Sequence, residues 1–127
     1  MTTPTTTNQH LHAGKMAEDS ALSYLQKKGL KLIERNFNST YGEIDLVMNE
    51  NKVTVFVEVR YRKNTTYGSA ADTVDYRKQS KLASTAMFYL QKNKPAAKRP
   101  CRFDVVSITG HPEQGDIQWI PNAFEVS

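Results

Sequence analysis

Two short strand-like segments carry acidic residues at positions where a buried strand usually has apolar ones. The segments are Gly42–Val47, with the sequence GEIDLV, and Phe56–Arg60, with the sequence FVEVR. If the two segments pair as a hairpin, Asp45 and Glu58 converge on the same side of a sheet. Two carboxylates held that close repel each other unless a cation lies between them. Carboxylate oxygens favour a hard divalent ion, so the pair predicts a Mg²⁺ or Mn²⁺ site.

The composition indicates one soluble globular domain. Residues 1–12 are polar and rich in threonine, which predicts a disordered tail, and residues 13–127 are enough for a single core. No segment has the pattern of a secretory signal or is long and apolar enough to span a bilayer, so no membrane contact is expected. The single cysteine, Cys101, predicts a cytoplasmic location and a small buried side chain. The net charge of +4 favours an anionic partner such as nucleic acid.

Periodicity and turn signals divide the domain into helices and strands in the order α-β-β-β-α-β. This order predicts an α/β fold in which helices flank a central mixed sheet. Strict alternation also predicts that Ile44 shares a sheet face with Leu46 and Met48, opposite Asp45. The predicted elements are a helix over Gly14–Lys28 that ends at Gly29, a strand over Leu30–Phe37, strands over Ile44–Met48 and Val53–Val59, a helix over Asp72–Gln91, a basic linker over Lys92–Arg99, a strand over Phe103–Ile108, and a short strand or extended tail over Ile117–Phe124.

The first predicted helix places a third carboxylate on its apolar face. Glu18 lies between Leu22 and Leu25 when the sequence is wound at 3.6 residues per turn. A carboxylate that faces the sheet must be satisfied by a hydrogen bond, a cation or a metal. Glu18 is therefore either a structural residue, whose carboxylate reaches solvent at the helix end or pairs with Arg35, or a member of the predicted metal site beside the two strand carboxylates.

The second predicted helix brings polar and basic residues toward the same region. Gln79 lies within its core-facing arc and Lys78 at the edge, where a lysine often extends to solvent instead. Basic residues cluster after the second strand-like segment and at the start of this helix. The cluster either contacts phosphates or forms a solvated charged surface. Its members are Arg60, Arg62, Lys63, Arg77, Lys78 and Lys81.

The two acidic blocks together resemble a known group of enzymes. The GEIDL block contains Asp45 and the FVEV block contains Glu58, with twelve residues between these two carboxylates, and together the blocks resemble the core of the PD-(D/E)XK nuclease superfamily. From Gly14 to Ile108 the chain is similar to the YraN-like family of small uncharacterised bacterial proteins, which are grouped by fold with archaeal Holliday-junction resolvases. The resemblance implies a restriction-endonuclease-like αβββαβ core.

The resemblance also implies a function, a divalent-metal-dependent endonuclease that hydrolyses phosphodiester bonds in DNA, including branched or flapped DNA. Asp45, Glu58 and the main-chain carbonyl of Val59 would hold Mg²⁺ or Mn²⁺, and Glu18 would bind through water or complete a second metal position. The ion would polarise the scissile phosphate and activate a water molecule. A resolvase-like enzyme would also favour a twofold homodimer, because it cuts two symmetric strands.

One position departs from the family pattern, because Arg60 stands where the family has a lysine. Arginine stays charged at any working pH, so Arg60 can hold a phosphate but cannot act as a general base. Three possibilities stay open: Arg60 acts electrostatically in an active enzyme, Lys63 or Lys78 replaces the lysine, or the protein binds without cutting. The resemblance further implies that Lys78 or Gln79 positions substrate or water. The alternative function is a weak or inactive nuclease-fold nucleic-acid-binding module.

Overall fold

Helices and strands alternate in the order that the sequence predicts. The computed structural model describes residues 6–64 and 74–125, with side chains from residue 12 onward. The predicted αβββαβ order is confirmed, with a short helix inside the basic linker and a full strand at the end of the domain. The elements are α1 (Thr6–Lys27), β1 (Lys31–Asn38), β2 (Glu43–Glu50), β3 (Val53–Arg62), α2 (Tyr76–Lys92), α3 (Lys94–Ala97), β4 (Cys101–Thr109) and β5 (Asp116–Phe124).

The five strands form one mixed sheet in the order β1-β2-β3-β4-β5. Neighbouring strands are antiparallel except β3 and β4, which run parallel. A parallel pair needs a long crossover connection, and the segment that contains α2 supplies it. Helix α1 packs on one face of the sheet and α2 on the other. The predicted α/β architecture is therefore confirmed and is compatible with a restriction-endonuclease-like core.

Each long helix covers its own apolar cluster. On the α1 face, Ala17 and Leu25 are completely buried against the sheet. On the α2 face, Leu82 and Tyr89 pack beside Phe56, and the Phe56 and Tyr89 rings meet edge to face with their centroids 5.7 Å apart. Because both faces of the sheet are covered, β3 is apolar over most of its length instead of alternating with polar residues.

Helix α1 ends where the sequence predicts but begins earlier. Gly29 has a φ of +100°, and the Leu30 N–H donates to the Leu25 carbonyl at 3.0 Å, which closes the helix with a left-handed glycine cap. The helix starts at Thr6 instead of Gly14 and so includes much of the predicted polar tail. No proline interrupts this stretch, and one internal glycine costs a helix only about 1 kcal/mol. The rest of the tail lies outside the described residues.

Helix α2 begins later than the sequence predicts. Its first residue is Tyr76, whereas the predicted start is Asp72, which falls in the segment 65–73 outside the described residues. The Asp75 carboxylate accepts a hydrogen bond from the Lys78 main-chain N–H at 2.8 Å. This N-cap satisfies one of the unpaired donors of the first turn and fixes where the helix starts.

Two expectations from the composition concern membrane-spanning segments and the burial of Cys101. Within residues 6–64 and 74–125, no helix is both long enough and apolar enough to cross a membrane. The prediction that Cys101 is buried is wrong, because this cysteine is exposed at the first residue of β4. The buried part of β4 begins at Asp104.

Asp104 links β4 to β5 through hydrogen bonds to both of its carboxylate oxygens. Its side chain is 0% exposed and accepts from the Arg102 guanidinium, with the shorter of the two contacts at 2.9 Å. The Trp119 indole N–H and the Asn122 main-chain N–H also donate to it, each at 2.9 Å. Because protein donors satisfy this buried carboxylate, it serves as a structural anchor for the last strand.

We expect Asp104→Ala to lower the free energy of unfolding by about 3–5 kcal/mol, because the substitution leaves a guanidinium and two N–H donors without their acceptor. Urea denaturation measures this change. The matched control is Asp116→Ala, which removes an exposed carboxylate from β5 and should cost less than about 0.5 kcal/mol. Similar small losses in the two variants would contradict the anchoring role.

Candidate functional site

Strands β2 and β3 separate at Asp45. Their pairing ends with Leu46 opposite Val57, although the same register would place Asp45 opposite Glu58. Instead, the Asp45 carboxylate accepts a hydrogen bond from the Val59 main-chain N–H at 2.8 Å. A side chain thus replaces a main-chain partner at the point where the ladder opens. The two carboxylates meet in this split between the strands.

The split lies beside a residue of β1 with a left-handed backbone. Arg35 pairs with Leu46 and Phe37 pairs with Ile44, while Asn36 between them has a φ of +53°. Asparagine tolerates this left-handed conformation better than most residues. Leu46 packs in the α1 cluster, whereas Ile44 and Phe37 pack in the α2 cluster. The prediction that Ile44 shares the face of Leu46 is therefore wrong, because alternation holds only for a regular strand.

Glu58 is buried in the middle of β3 with one oxygen paired and one unpaired. Its side chain is only about 6% exposed, and its Oε1 atom lies 3.6 Å from Lys78 Nζ and 3.8 Å from Arg60 Nη1. The Oε2 atom is buried and has no hydrogen-bond partner within the described part of the chain. Burial raises the pKa of Glu58, and the charges of Lys78 and Arg60 act in the opposite direction.

Burial also raises the pKa of Asp45, to about 8. Repulsion from the nearby Glu58 carboxylate adds to the increase, and the hydrogen bond from the Val59 N–H partly opposes it. The pKa values of both carboxylates are thus raised, and a positively charged partner beside them would favour their ionised forms.

A cleft of about 670 Å³ opens between α1 and the split. Four of the residues predicted for the metal site line it: Glu18, Asp45, Glu58 and Val59. We call it the carboxylate cleft. Lys15 and Glu43 also line it, although no sequence pattern distinguishes them from other surface charges. The structure thus brings the four predicted residues, which come from α1, β2 and β3, to one cavity.

Glu18 forms the ion pair that the structural interpretation predicts. Its Oε1 atom accepts from Arg35 Nη2 at 2.8 Å and from Arg35 Nε at 3.1 Å, and Arg35 also pairs with Asp19 at 2.7 Å. Among residues 6–64 and 74–125, no three His, Cys, Asp or Glu side chains are positioned to hold one metal ion together. Glu18 therefore stands at the cleft wall, and the closely interacting carboxylates are Asp45 and Glu58.

A second, smaller cleft of about 230 Å³ lies on the α2 side of the sheet. Its lining consists of Arg60, Arg77, Lys78 and Lys81, together with Asp75. We call it the basic cleft. Arg60 lines this basic cleft and is absent from the lining of the carboxylate cleft. Arg60 is therefore grouped with the cations of α2.

The remaining predicted site residues lie outside both clefts. The Gln79 side-chain amide donates to the Val74 carbonyl at 3.0 Å, which holds it against the start of α2. Arg62 and Lys63 lie at the end of β3 and just after it, and neither lines the carboxylate cleft or the basic cleft. Of the two lysines that could replace the family's lysine, only Lys78 lies beside Glu58.

Sequence comparison gives the family of this chain. The uncharacterised protein family UPF0102 matches residues 17–108. This range contains the residues that line the two clefts, except those of α1 that precede residue 17. The chain belongs to the UPF0102 family. The YraN-like resemblance is thereby confirmed, whereas membership of the nuclease superfamily stays a proposal.

Bacterial UPF0102 proteins align with nearly the whole chain. A UPF0102 protein of Stutzerimonas stutzeri (strain A1501) is 50% identical over 113 residues, which cover 89% of this chain and 94% of the relative. One of Pseudomonas fluorescens (strain Pf0-1) is 49% identical, with 91% and 95% covered, and one of Nitrosococcus oceani is 44% identical, with 92% and 94% covered. These names carry no activity, so the chemistry must be argued from the site.

The raised pKa of Asp45 predicts how stability depends on pH in the metal-free protein. Between the ordinary carboxyl pKa and about 8, the folded protein keeps a proton that the unfolded chain has released. The free energy of unfolding should therefore fall as pH rises through this range, by at most about 1.4 kcal/mol per pH unit for one group. Urea denaturation in EDTA between about pH 5 and pH 8 measures this slope.

The Asp45→Asn variant cannot ionise at this position, so its slope should be clearly shallower than that of the wild type. The Asp116→Asn variant changes an exposed carboxylate and should keep the wild-type slope. Equal slopes in all three proteins would show that Asp45 does not retain its proton on folding.

Proposed function

We propose that this protein is a divalent-metal-dependent endonuclease of the PD-(D/E)XK type that hydrolyses phosphodiester bonds in DNA, including branched or flapped DNA. The observation that carries the proposal is the pair formed by the buried Glu58 and the half-buried Asp45 at the split between β2 and β3. The structural carboxylate of Asp104 is satisfied by protein donors, whereas Glu58 Oε2 has none among the described residues. Such a pair is costly to bury, which favours a role that needs it. Resolvase-like action would further involve a twofold homodimer.

The residues present suit a Mg²⁺ or Mn²⁺ ion. Asp45 and Glu58 offer carboxylate oxygens, and the Val59 carbonyl points to the same side of β3 as its N–H, toward the split. Glu18 stands at the wall of the cleft, where it would bind the ion through water. Hard oxygen donors of this kind match both ions. A divalent ion bound there supplies Lewis-acid stabilisation of the charge that develops on the scissile phosphate.

The cations beside Glu58 would act on the phosphate of the substrate. Lys78 Nζ and Arg60 Nη1 approach the same carboxylate oxygen, at 3.6 Å and 3.8 Å, so both charges lie next to the proposed reaction centre. There they would neutralise phosphate charge in the transition state. Lys78 is the one of the two that can release a proton, because a guanidinium stays protonated at working pH.

The second candidate function is a nuclease-fold module that binds nucleic acid with little or no cleavage. The observation that favours it is Arg60, which stands in place of the family's lysine and lines the basic cleft instead of the carboxylate cleft. In that case the carboxylates would hold a cation without turnover, and the basic residues would provide the affinity for phosphates.

We expect Mg²⁺ or Mn²⁺ to raise the melting temperature of the wild-type protein. An ion present at a hundredfold excess over its dissociation constant stabilises the folded state by about 2.7 kcal/mol. Asp45→Asn and Glu58→Gln should abolish the increase, because each removes a charged ligand. Thermal denaturation with and without the ion measures the shift, and Asp116→Asn serves as the control that keeps it. A wild-type shift that survives both substitutions would place the metal elsewhere.

Cleavage itself is tested on labelled single-stranded, duplex, flap and four-way-junction DNA with Mn²⁺ or Mg²⁺. We expect wild-type cleavage that falls at least about a hundredfold in Asp45→Ala, because the loss of one essential electrostatic group has effects of this size. Cleavage that persists in Asp45→Ala would contradict the proposal.

Arg60→Lys, tested in the same assay, separates the two candidate functions. Activity confined to this variant would indicate a nuclease scaffold that Arg60 has inactivated. No cleavage by any of the three proteins, with DNA still bound, would favour the binding module.

A further inference from the structure

The basic cleft gathers cations from two elements of the fold. Arg60 projects from the end of β3, whereas Arg77, Lys78 and Lys81 come from the first turns of α2. These side chains converge on one cavity of about 230 Å³, which is small beside the 670 Å³ of the carboxylate cleft. Like charges brought so close repel one another, so the arrangement favours an anionic occupant.

The local charge balance points to a doubly charged anion. Within residues 6–64 and 74–125, the lining carries four cations, and the carboxylates near them are Asp75, which also lines the cleft, and Glu58, which approaches Lys78 and Arg60. Four positive charges against two negative ones leave a formal charge of +2. A phosphate monoester carries between about −1.5 and −2 at pH 7, whereas a phosphodiester within a strand carries only −1. The cleft therefore complements a terminal phosphate better than an internal one.

The surroundings of the basic cleft suit a nucleic acid end more than a free anion. The cleft lies at the N-terminus of the 17-residue helix α2, whose dipole favours negative charge. Tyr76, the first residue of this helix, is 82% exposed and offers an aromatic surface for an unpaired base. Glu58 connects the two clefts, because it lines the carboxylate cleft and pairs with Lys78 and Arg60 of the basic cleft.

We propose that the basic cleft formed by Arg60, Arg77, Lys78 and Lys81 binds the terminal phosphate of a nucleic acid strand. This inference rests on the proposed function and narrows its substrate to DNA that has a phosphorylated strand end, such as a nick, a flap or a broken end. The arginines supply forked donors that match phosphate oxygens, and the lysines add point charges. Arg60 is then a residue for substrate recognition.

Binding without metal tests this inference separately from cleavage. The probes are oligonucleotides of one sequence with a 5′-phosphate, a 3′-phosphate or hydroxyls at both ends, and fluorescence anisotropy in EDTA gives their affinities for the full chain. We expect one terminal phosphate to raise the affinity of the wild type at least about tenfold, as charge-assisted hydrogen bonds can provide. Arg77→Gln combined with Lys81→Gln should make the affinities for the three probes nearly equal. These two positions are chosen because the described residues that form ion pairs with Glu58 are Arg60 and Lys78.

The matched control is Lys52→Gln combined with Arg99→Gln, which removes the same charges from exposed positions at the opposite end of β3 and β4. This control should keep the preference for a terminal phosphate, although its affinity for all probes should be slightly lower than that of the wild type. Equal wild-type affinity for the three probes would overturn the inference. An equal loss of affinity for all three probes in the Arg77→Gln, Lys81→Gln protein would overturn it as well. Metal-dependent cleavage of unphosphorylated DNA would leave the proposed nuclease function intact in either case.

Discussion

The hydrogen bond from the Val59 N–H to the Asp45 carboxylate is the contact on which the site depends. In a regular antiparallel ladder that N–H would face a carbonyl of β2, and Asp45 would lie directly opposite Glu58. With the carboxylate in that place, β2 and β3 separate without leaving the donor unsatisfied, and a cleft opens between the strands and α1. In β1, the left-handed Asn36 lies between the two residues that pair with Leu46 and Ile44, on either side of Asp45.

The separation has an energetic cost that the rest of the domain offsets. It keeps Glu58 largely and Asp45 partly out of water, and the Glu58 Oε2 atom, which has no hydrogen-bond partner among the described residues, adds to the cost. Complete apolar clusters on both faces of the sheet, together with the satisfied Asp104 anchor, supply the stability that allows this. A strained or destabilised arrangement that is supported by a well-packed scaffold is typical of functional sites.

The sheet also separates two kinds of electrostatic environment. Asp45 and Glu18 face a cleft on the α1 side, whereas the cations of α2 and Arg60 line a cleft on the other side. Glu58 takes part in both, because it stands in the strand between them. Arg60 follows Glu58 by two residues on β3, and its forked side chain joins the cations of the second cleft.

The sequence by itself determined the order of the elements, the core faces of α1 and α2, and the identity of the acidic blocks. These features are local, because helix periodicity, the Gly29 cap and runs of β-branched residues depend on neighbours along the chain. Only the tertiary structure decided that Ile44 turns to the α2 face, that Glu18 pairs with Arg35, and that Arg60 joins the basic cleft. Each of these depends on where strands separate and which helix packs on which face, and such long-range geometry leaves no periodic trace in the sequence.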